Sequence, residues 1–201
     1  MDKIELLRKN LINTSIGTSA VRNQGNGIAE PIRCKLIEVF TFNSFFDNLK
    51  NHDPKEFKRY LNRLTENVDN INGISKNGKE PGRVRWGTAR KCVNLFLRTV
   101  VYNGFIWDAY NISIRDFQPG GLMEKLELPL DSYVVKGIIK DSKEIDGIGF
   151  NSAIYPSFSI INLDRKTESP YYQEKASLIA NKTNVCRIDL DLRYWRYKNN
   201  C

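Results

Sequence analysis

Residues 88–105, TARKCVNLFLRTVVYNGF, carry the most persistent helical pattern in the chain. Mostly apolar side chains recur there three or four positions apart, the spacing that places them on one face of an α-helix. We expect that face to be buried. Its members are Cys92, Leu95, Phe96, Thr99, Val100 and Asn103.

Shorter helical patterns lie on both sides of this segment, at residues 4–12, 32–40, 54–64, 132–139 and 169–182. The clearest start is at Asp53 and Pro54, which place an N-cap residue before a proline at the first helical position. A short hairpin is expected within residues 141–156. Residues 187–195 alternate polar and apolar side chains as a strand does, but opposite charges four positions apart favour a helix, which we choose.

The chain is therefore predicted to be mostly α, as a single domain without internal repeats. Its 201 residues are 41% hydrophobic and 11% aromatic, which supports a folded core and argues against disorder. No apolar run approaches the ~18–20 residues of a membrane span, and the first residues mix both charges, unlike a signal peptide. We expect a soluble, cytoplasmic protein with no membrane partner.

Cysteine and histidine are too few and too scattered for several kinds of chemistry. The four cysteines form no Cys-x-x-Cys pair, which argues against a zinc ribbon and a dense disulfide scaffold. His52 is the only histidine, so Ser-His-Asp and multi-histidine metal sites have almost no material. We expect no metal and no other cofactor.

The net charge of +8 favours a polyanionic partner, and we expect nucleic acid. Residues 76–98 hold seven Lys and Arg against one Glu, an excess of +6. This stretch runs from a predicted loop into the start of a predicted helix. Unpaired backbone N–H groups at such a start attract phosphate. The residues expected to contact a nucleic-acid backbone are Lys79, Arg83, Arg85, Gly87, Thr88 and Arg90.

Two residues in these segments have more than one interpretation. Lys91 lies beside apolar Cys92 and among other cations, conditions that lower a lysine pKa and produce an amine nucleophile. The simpler interpretation, which the spacing alone favours, is a lysine on the exposed stripe of the helix. Asp131 follows Pro129 as an ordinary N-cap residue, and a carboxylate held there has a second possible use, opposite a cationic transition state.

Both residues belong to segments that resemble the helix–hairpin–helix DNA glycosylases, in particular the archaeal 8-oxoguanine glycosylase branch. Residues 91–98, KCVNLFLR, match a lysine at the head of an apolar helix. Residues 128–136, LPLDSYVVK, match a Pro-x-Asp segment that opens another helix. The resemblance covers roughly residues 80–140 by motif.

The resemblance implies an all-α protein of two lobes beside a cleft, here residues 28–140 and residues 1–27 with 141–201. It implies a bifunctional N-glycosylase and AP lyase in which Lys91 attacks the sugar C1′ and Asp131 supports the cationic transition state. The substrate would be a damaged base, such as 8-oxoguanine, flipped out of duplex DNA. We expect a monomer, in the nucleoid or nucleus if it acts on DNA. The candidate pocket residues are Arg22, Asn23, Gln24 and Trp86.

Three other functions stay open at this point. A non-catalytic nucleic-acid-binding module would keep only the basic face, with Lys91 exposed. A metal-dependent nuclease would use Asp53, Glu56 and Lys58, although that chemistry requires the Glu-x-Lys pair on a strand and this stretch is expected to be helical. A small-molecule enzyme or protein-binding partner is the fourth class.

Overall fold

A computed structural model describes residues 2–21, 24, 27–74, 82–151 and 158–196. These residues form ten α-helices, joined by turns and short 3₁₀ helices, and they contain no strand. The predicted mostly α fold is thereby confirmed. In the part of the chain that the structure describes, no helix has both the length and the apolar composition to cross a bilayer.

The chain divides into two compact units, Met1–Asn111 and Ile112–Cys201. The expected division put residues 1–27 with the C-terminal part, whereas the structure places them in the first unit. The reason lies in the first helix, Lys3–Ser15, where the Arg8 guanidinium donates to the carbonyl oxygens of Ile37 (2.6 Å) and Phe40 (2.5 Å). These bonds tie the first helix to the C-terminal end of the helix Ala29–Val39.

The described residues of the first unit form seven α-helices, α1 (Lys3–Ser15), α2 (Thr18–Val21), α3 (Ala29–Val39), α4 (Phe42–Lys50), α5 (Pro54–Val68), α6 (Trp86–Val101) and α7 (Gly104–Tyr110). α6 is buried on most sides, and α1 and α5 pack against it. The ring of Phe40 meets that of Phe96 edge to face at 4.6 Å, so α6 also reaches the aromatic core beside α4.

The second unit contains α8 (Ser132–Glu144), α9 (Glu168–Thr183) and α10 (Leu190–Arg196), with 3₁₀ helices at Ile114–Phe117, Leu122–Lys125 and Arg187–Asp189. α8 packs against both α9 and α10. The Tyr194 ring of α10 lies directly over Gly137 of α8, where a side chain would overlap it. Its hydroxyl donates to the buried carboxylate of Asp141 at 3.2 Å.

Several predicted boundaries change in the structure. The long central helix begins at Trp86 and ends at Val101, because Asn103 caps the separate helix α7 through a hydrogen bond from the Phe105 N–H at 3.1 Å. The hairpin expected within residues 141–156 is wrong for its first part, since α8 continues to Glu144 and turns follow it. Residues 152–156 lie outside the described part. The choice of helix for residues 187–195 is confirmed as a 3₁₀ turn followed by α10.

Candidate nucleic-acid interface

The start of α6 is held in place by backbone pairing with the end of α5. The Val84 N–H donates to the Ile71 carbonyl (2.9 Å), and the Asn70 N–H donates to the Val84 carbonyl (3.1 Å). The Arg85 N–H donates to the buried Gln24 side-chain oxygen at 2.8 Å. These bonds fix the two residues that lead into the helix, Val84 and Arg85.

Gly27 contacts the segment that connects α5 to α6. Its φ is +66°, and a Cβ there would overlap the backbone of Ile74. The Ile74 N–H in turn donates to the Gly27 carbonyl at 3.1 Å. Only glycine combines this left-handed conformation with so close an approach of two backbones.

Of the residues expected to contact a nucleic-acid backbone, Arg83 and Arg85 are exposed. Both lie in the short segment before α6, where their side chains reach solvent. Lys79 lies outside the described part. The structure therefore offers two of the predicted phosphate ligands at the surface.

The other three residues of this set are buried, which argues against the predicted phosphate contacts. Gly87, Thr88 and Arg90 lie in the first turns of α6, and Arg90 is only 4% exposed. Its Nη1 donates to the Thr65 hydroxyl of α5 at 2.9 Å, and its guanidinium lies 5.7 Å from the Trp86 ring. A buried guanidinium needs such partners, so Arg90 joins α5 to α6 inside the unit.

Lys91 is placed differently from its neighbours. From Gly87 to Asn94 it is the only residue that is not buried. It is half-buried, at the head of a half-buried stripe of α6 that continues through Leu95, Arg98, Thr99 and Tyr102. The next residue, Cys92, is fully buried, and this burial raises the pKa of its thiol to about 12, although the Lys91 charge opposes the rise. Between Gly87 and Asn94, therefore, only the Lys91 side chain reaches solvent.

Asp131 has the position of an N-cap residue in the second unit. One carboxylate oxygen accepts hydrogen bonds from the backbone N–H groups of Tyr133 (2.9 Å) and Val134 (3.0 Å). The segment before it is fixed by the buried Gln173 amide, which bonds to both the N–H and the carbonyl of Leu128. The predicted capping role is therefore present, with Lys91 in the first unit and Asp131 in the second.

The candidate pocket residues are described only in part. Arg22 and Asn23 lie outside the described residues. Gln24 is 8% exposed, and its side-chain oxygen already accepts from Arg85, so that oxygen has a structural role. Trp86 is half-buried beside the Arg90 guanidinium.

The alternative nuclease residues do not form a metal site of the expected kind. Asp53 caps α5 by accepting from the Lys55 N–H at 2.9 Å, and Glu56 pairs with Arg59 on the same helix. The strand that a Glu-x-Lys site requires is a helix here. Among the described residues, no three His, Cys, Asp or Glu side chains come together as a possible metal site.

Sequence reasoning missed a second basic surface, on the outer side of α5. Lys55, Lys58 and Arg63 are exposed there, opposite the buried apolar face of the helix. These cations are three and five residues apart, at positions of the predicted helix that its apolar residues leave free. This pattern in the sequence would have identified the basic surface. We call these three residues the α5 basic face.

The formal charge is also divided unevenly between the units. Met1–Asn111 contains 18 Lys and Arg and 11 Asp and Glu, an excess of +7, whereas Ile112–Cys201 contains 13 and 12, an excess of +1. Nearly all of the net positive charge thus belongs to the unit that carries Arg83, Arg85 and Lys91. Comparison with known proteins adds no relative to these observations, since no family model fits the sequence and neither a curated protein nor a solved structure matches it significantly.

Proposed function

We propose that the protein binds nucleic acid and that the first unit supplies the binding surface. The observation that carries this proposal is the concentration of +7 of the net charge of +8 in that unit. The exposed Arg83 and Arg85, fixed in front of α6, are the first contacts that we assign. Cations that neutralise phosphates release condensed counterions, so binding is expected to weaken steeply with salt.

Fluorescence anisotropy of a labelled 20-base-pair DNA duplex, titrated with the protein at several NaCl concentrations, tests the proposal. The R83Q/R85Q variant should bind more weakly, and its plot of log K against log salt should be less steep by about two, since each phosphate contact contributes about −0.9 to that slope. The control is R115Q/R165Q, which removes two exposed arginines from the second unit. No binding by the wild type at 50 mM NaCl would refute the proposal.

A second candidate function, base excision by Lys91, is favoured by the position of that lysine, the one residue from Gly87 to Asn94 of α6 that is not buried. In this proposal the unprotonated Lys91 amine forms a bond to the sugar C1′ as the bond from C1′ to the damaged base breaks. The base leaves with the electron pair and takes up a proton. Ring opening then gives an iminium between Lys91 and C1′, from which β-elimination breaks the 3′ phosphate ester.

Asp131 enters this proposal through the resemblance to helix–hairpin–helix glycosylases. Its carboxylate would stabilise the positive charge that develops on the sugar as the base leaves. The expected product is a cleaved strand, as in a bifunctional glycosylase and AP lyase.

Borohydride trapping distinguishes the two candidate functions. Borohydride reduces the iminium to a stable amine, so the wild type should form a covalent adduct with duplexes that carry 8-oxoguanine, uracil or an abasic site. K91Q and K91R should form none, and the half-buried Lys35 provides the matched control K35Q. If the wild type gives no adduct while salt-dependent binding persists, base excision is excluded and nucleic-acid binding stands.

A further inference from the structure

We infer that the α5 basic face is a docking surface for the phosphate backbone of a nucleic-acid duplex. The inference rests on the proposed nucleic-acid binding and locates most of its contact surface away from the start of α6. It therefore concerns Lys55, Lys58 and Arg63, which are exposed on one side of a 15-residue helix.

The three cations of this face are available for an external anion. In the described residues none of them forms an ion pair, whereas Arg59 on the same helix is already paired with Glu56. A cation without a protein partner loses no existing pair when it binds phosphate. The other carboxylate of α5, Glu66, is exposed in the last turn, three residues after Arg63 and therefore on the same side of the helix. With Glu66 counted, the face keeps an excess of two positive charges.

The spacing of the face suits a phosphate backbone. Lys55 and Arg63 are eight residues apart, which is about 12 Å along a helix that rises 1.5 Å per residue. Phosphates of one DNA strand follow at about 3.4 Å along the duplex axis. Flexible Lys and Arg side chains on a rigid helix can therefore reach separate phosphates of one strand without any change in the backbone of α5.

The aromatic residues of α5 favour a duplex over a single strand. Single-strand surfaces combine cations with exposed aromatic rings on which bases stack. Both aromatic residues of α5 are turned to the interior, Phe57 at 1% and Tyr60 at 5% exposure. The face thus offers charges for a backbone and no ring for an unpaired base.

The same helix is poorly suited to a membrane surface. Membrane-surface helices bury an apolar side in the lipid. Here the apolar side packs inside the first unit, where Leu61 and Leu64 are at most 3% exposed. This leaves the duplex as the polyanion that the face fits.

The α5 basic face is also joined to the segment that carries the exposed Arg83 and Arg85. Asn70, two residues after α5 ends, donates its N–H to the carbonyl of Val84 at 3.1 Å. This bond ties the C-terminal end of α5 to the segment that carries Arg83 and Arg85. A duplex seated along α5 would therefore find the second group of cations at one end of the helix.

The test uses the full chain and a fluorescein-labelled 20-base-pair DNA duplex, with anisotropy measured between 50 and 300 mM NaCl. The K55Q/K58Q/R63Q variant should reduce the steepness of log K against log salt by about 2 to 3 and raise Kd about tenfold or more at 100 mM NaCl. The charge-conserving K55R/K58R/R63K should bind as the wild type does. Circular dichroism of each variant checks that the fold is retained.

The matched control is K136Q/K140Q/K143Q, which removes three exposed lysines from one face of α8 and lowers the net charge equally. It should leave Kd and the slope nearly unchanged. An equal loss of duplex affinity in both triple variants would overturn the inference, since total charge alone would then govern binding. If the wild type binds the duplex and the K55Q/K58Q/R63Q variant binds equally well, this inference is overturned and the proposed function stands. If the wild type does not bind the duplex, both the inference and the proposed function are overturned. A preference of the α5 basic face for vesicles of 30% phosphatidylserine over the duplex would assign it to a membrane instead.

Discussion

Asp164 shows how one side chain organises the start of a helix. Its carboxylate accepts from the N–H groups of Lys166 (3.1 Å), Thr167 (2.6 Å) and Glu168 (3.3 Å) and from the Thr167 hydroxyl. These bonds hold the pKa of the carboxyl below its ordinary value, chiefly through the Thr167 hydroxyl. The charged form is thus the one that stabilises the N-terminus of α9.

The D164A substitution should therefore lower the free energy of unfolding by about 1 kcal/mol at pH 7. Because the folded pKa is depressed, the stabilisation is complete above the ordinary carboxyl pKa of about 4 and is lost as the pH falls below it. Urea denaturation at pH 7 and at pH 2.5 measures both values. D164N, which keeps an acceptor oxygen without a charge, is the control. A D164A defect that stayed constant over this pH range would contradict the role of the charged form.

Gly137 is a residue whose role only the packing shows. Glycine inside a helix normally costs stability relative to alanine. In α8, however, a Cβ at this position would overlap the Tyr194 ring. G137A should therefore destabilise the protein by about 1 to 3 kcal/mol, against the intrinsic helix preference.

Thermal or urea unfolding of G137A measures this effect, and G104A is the control because nothing lies within 4 Å of a Cβ at Gly104. In a Y194A background the same G137A change should become neutral or stabilising, since the overlapping ring is gone. Additive effects of G137A and Y194A would show that the two residues do not interact.

At the scale of the helix, α6 explains why a basic run in a sequence is not a basic surface. Residues 85, 90 and 91 are all cationic, yet Arg85 is exposed, Arg90 is 4% exposed and Lys91 is half-buried. The sequence contained the helical period, but the side of α6 that faces α5 depends on packing between helices distant in the chain. The hydrogen bond from Arg90 to Thr65, 25 residues away, is such a contact.

Arg90 is thus expected to contribute to stability and not to phosphate binding. R90A should lower the free energy of unfolding by about 2 to 4 kcal/mol, because it leaves a cavity and removes the partner of Thr65 and Trp86. The salt slope of duplex binding should stay at the wild-type value in the folded variant. A reduced slope with unchanged stability would instead restore Arg90 to the phosphate-binding residues.

The sequence located the starts of α5 and α8 through local signals, whereas it indicated α6 through its apolar period alone. Asp53 and Asp131 cap α5 and α8 as expected, because an N-cap depends on neighbouring residues only. Helix α4 was missed because only Phe40 and Thr41 separate it from α3. The break comes from the extended backbone of Thr41, whose hydroxyl caps α4 through the Ser44 N–H at 3.2 Å. The sequence does contain this N-cap threonine. The apolar patterns of α3 and α4 follow each other so closely, however, that they do not show the break between the two helices.

At the scale of the molecule, the division of the chain into two units is the feature that the sequence placed incorrectly relative to the structure. The resemblance grouped residues 1–27 with the C-terminal lobe, whereas the packing of α1 against α3 and α6 and the bonds of Arg8 to α3 assign α1 to the first unit. The total charge was known from composition, but its location was not. It became informative only when +7 of it fell within Met1–Asn111. The candidate interface therefore depends on the fold as much as on the residues in it.

The two units each enclose a thiol, which gives a test of both interiors in one measurement. Cys92 in the first unit and Cys186 in the second are buried, and burial raises the pKa of each thiol to about 12. Cys186 also donates from its Sγ to the Phe117 carbonyl at 2.7 Å. At pH 8 only about one in 10⁴ of such thiols is ionised, and the thiolate is the reactive form. Cys34 is exposed.

In a C201S background, which removes the cysteine outside the described residues, a disulfide reagent such as DTNB should therefore label one thiol rapidly at pH 8. C34S/C201S should show no rapid reaction, and both variants should label fully in 6 M guanidinium chloride. Raising the pH to 9.5 should leave Cys92 and Cys186 protected, since the pKa of each of these thiols lies well above this pH. Rapid labelling of a second thiol in the native protein would show that the interior of one unit is open, and mass spectrometry of the labelled peptide would identify which unit it is.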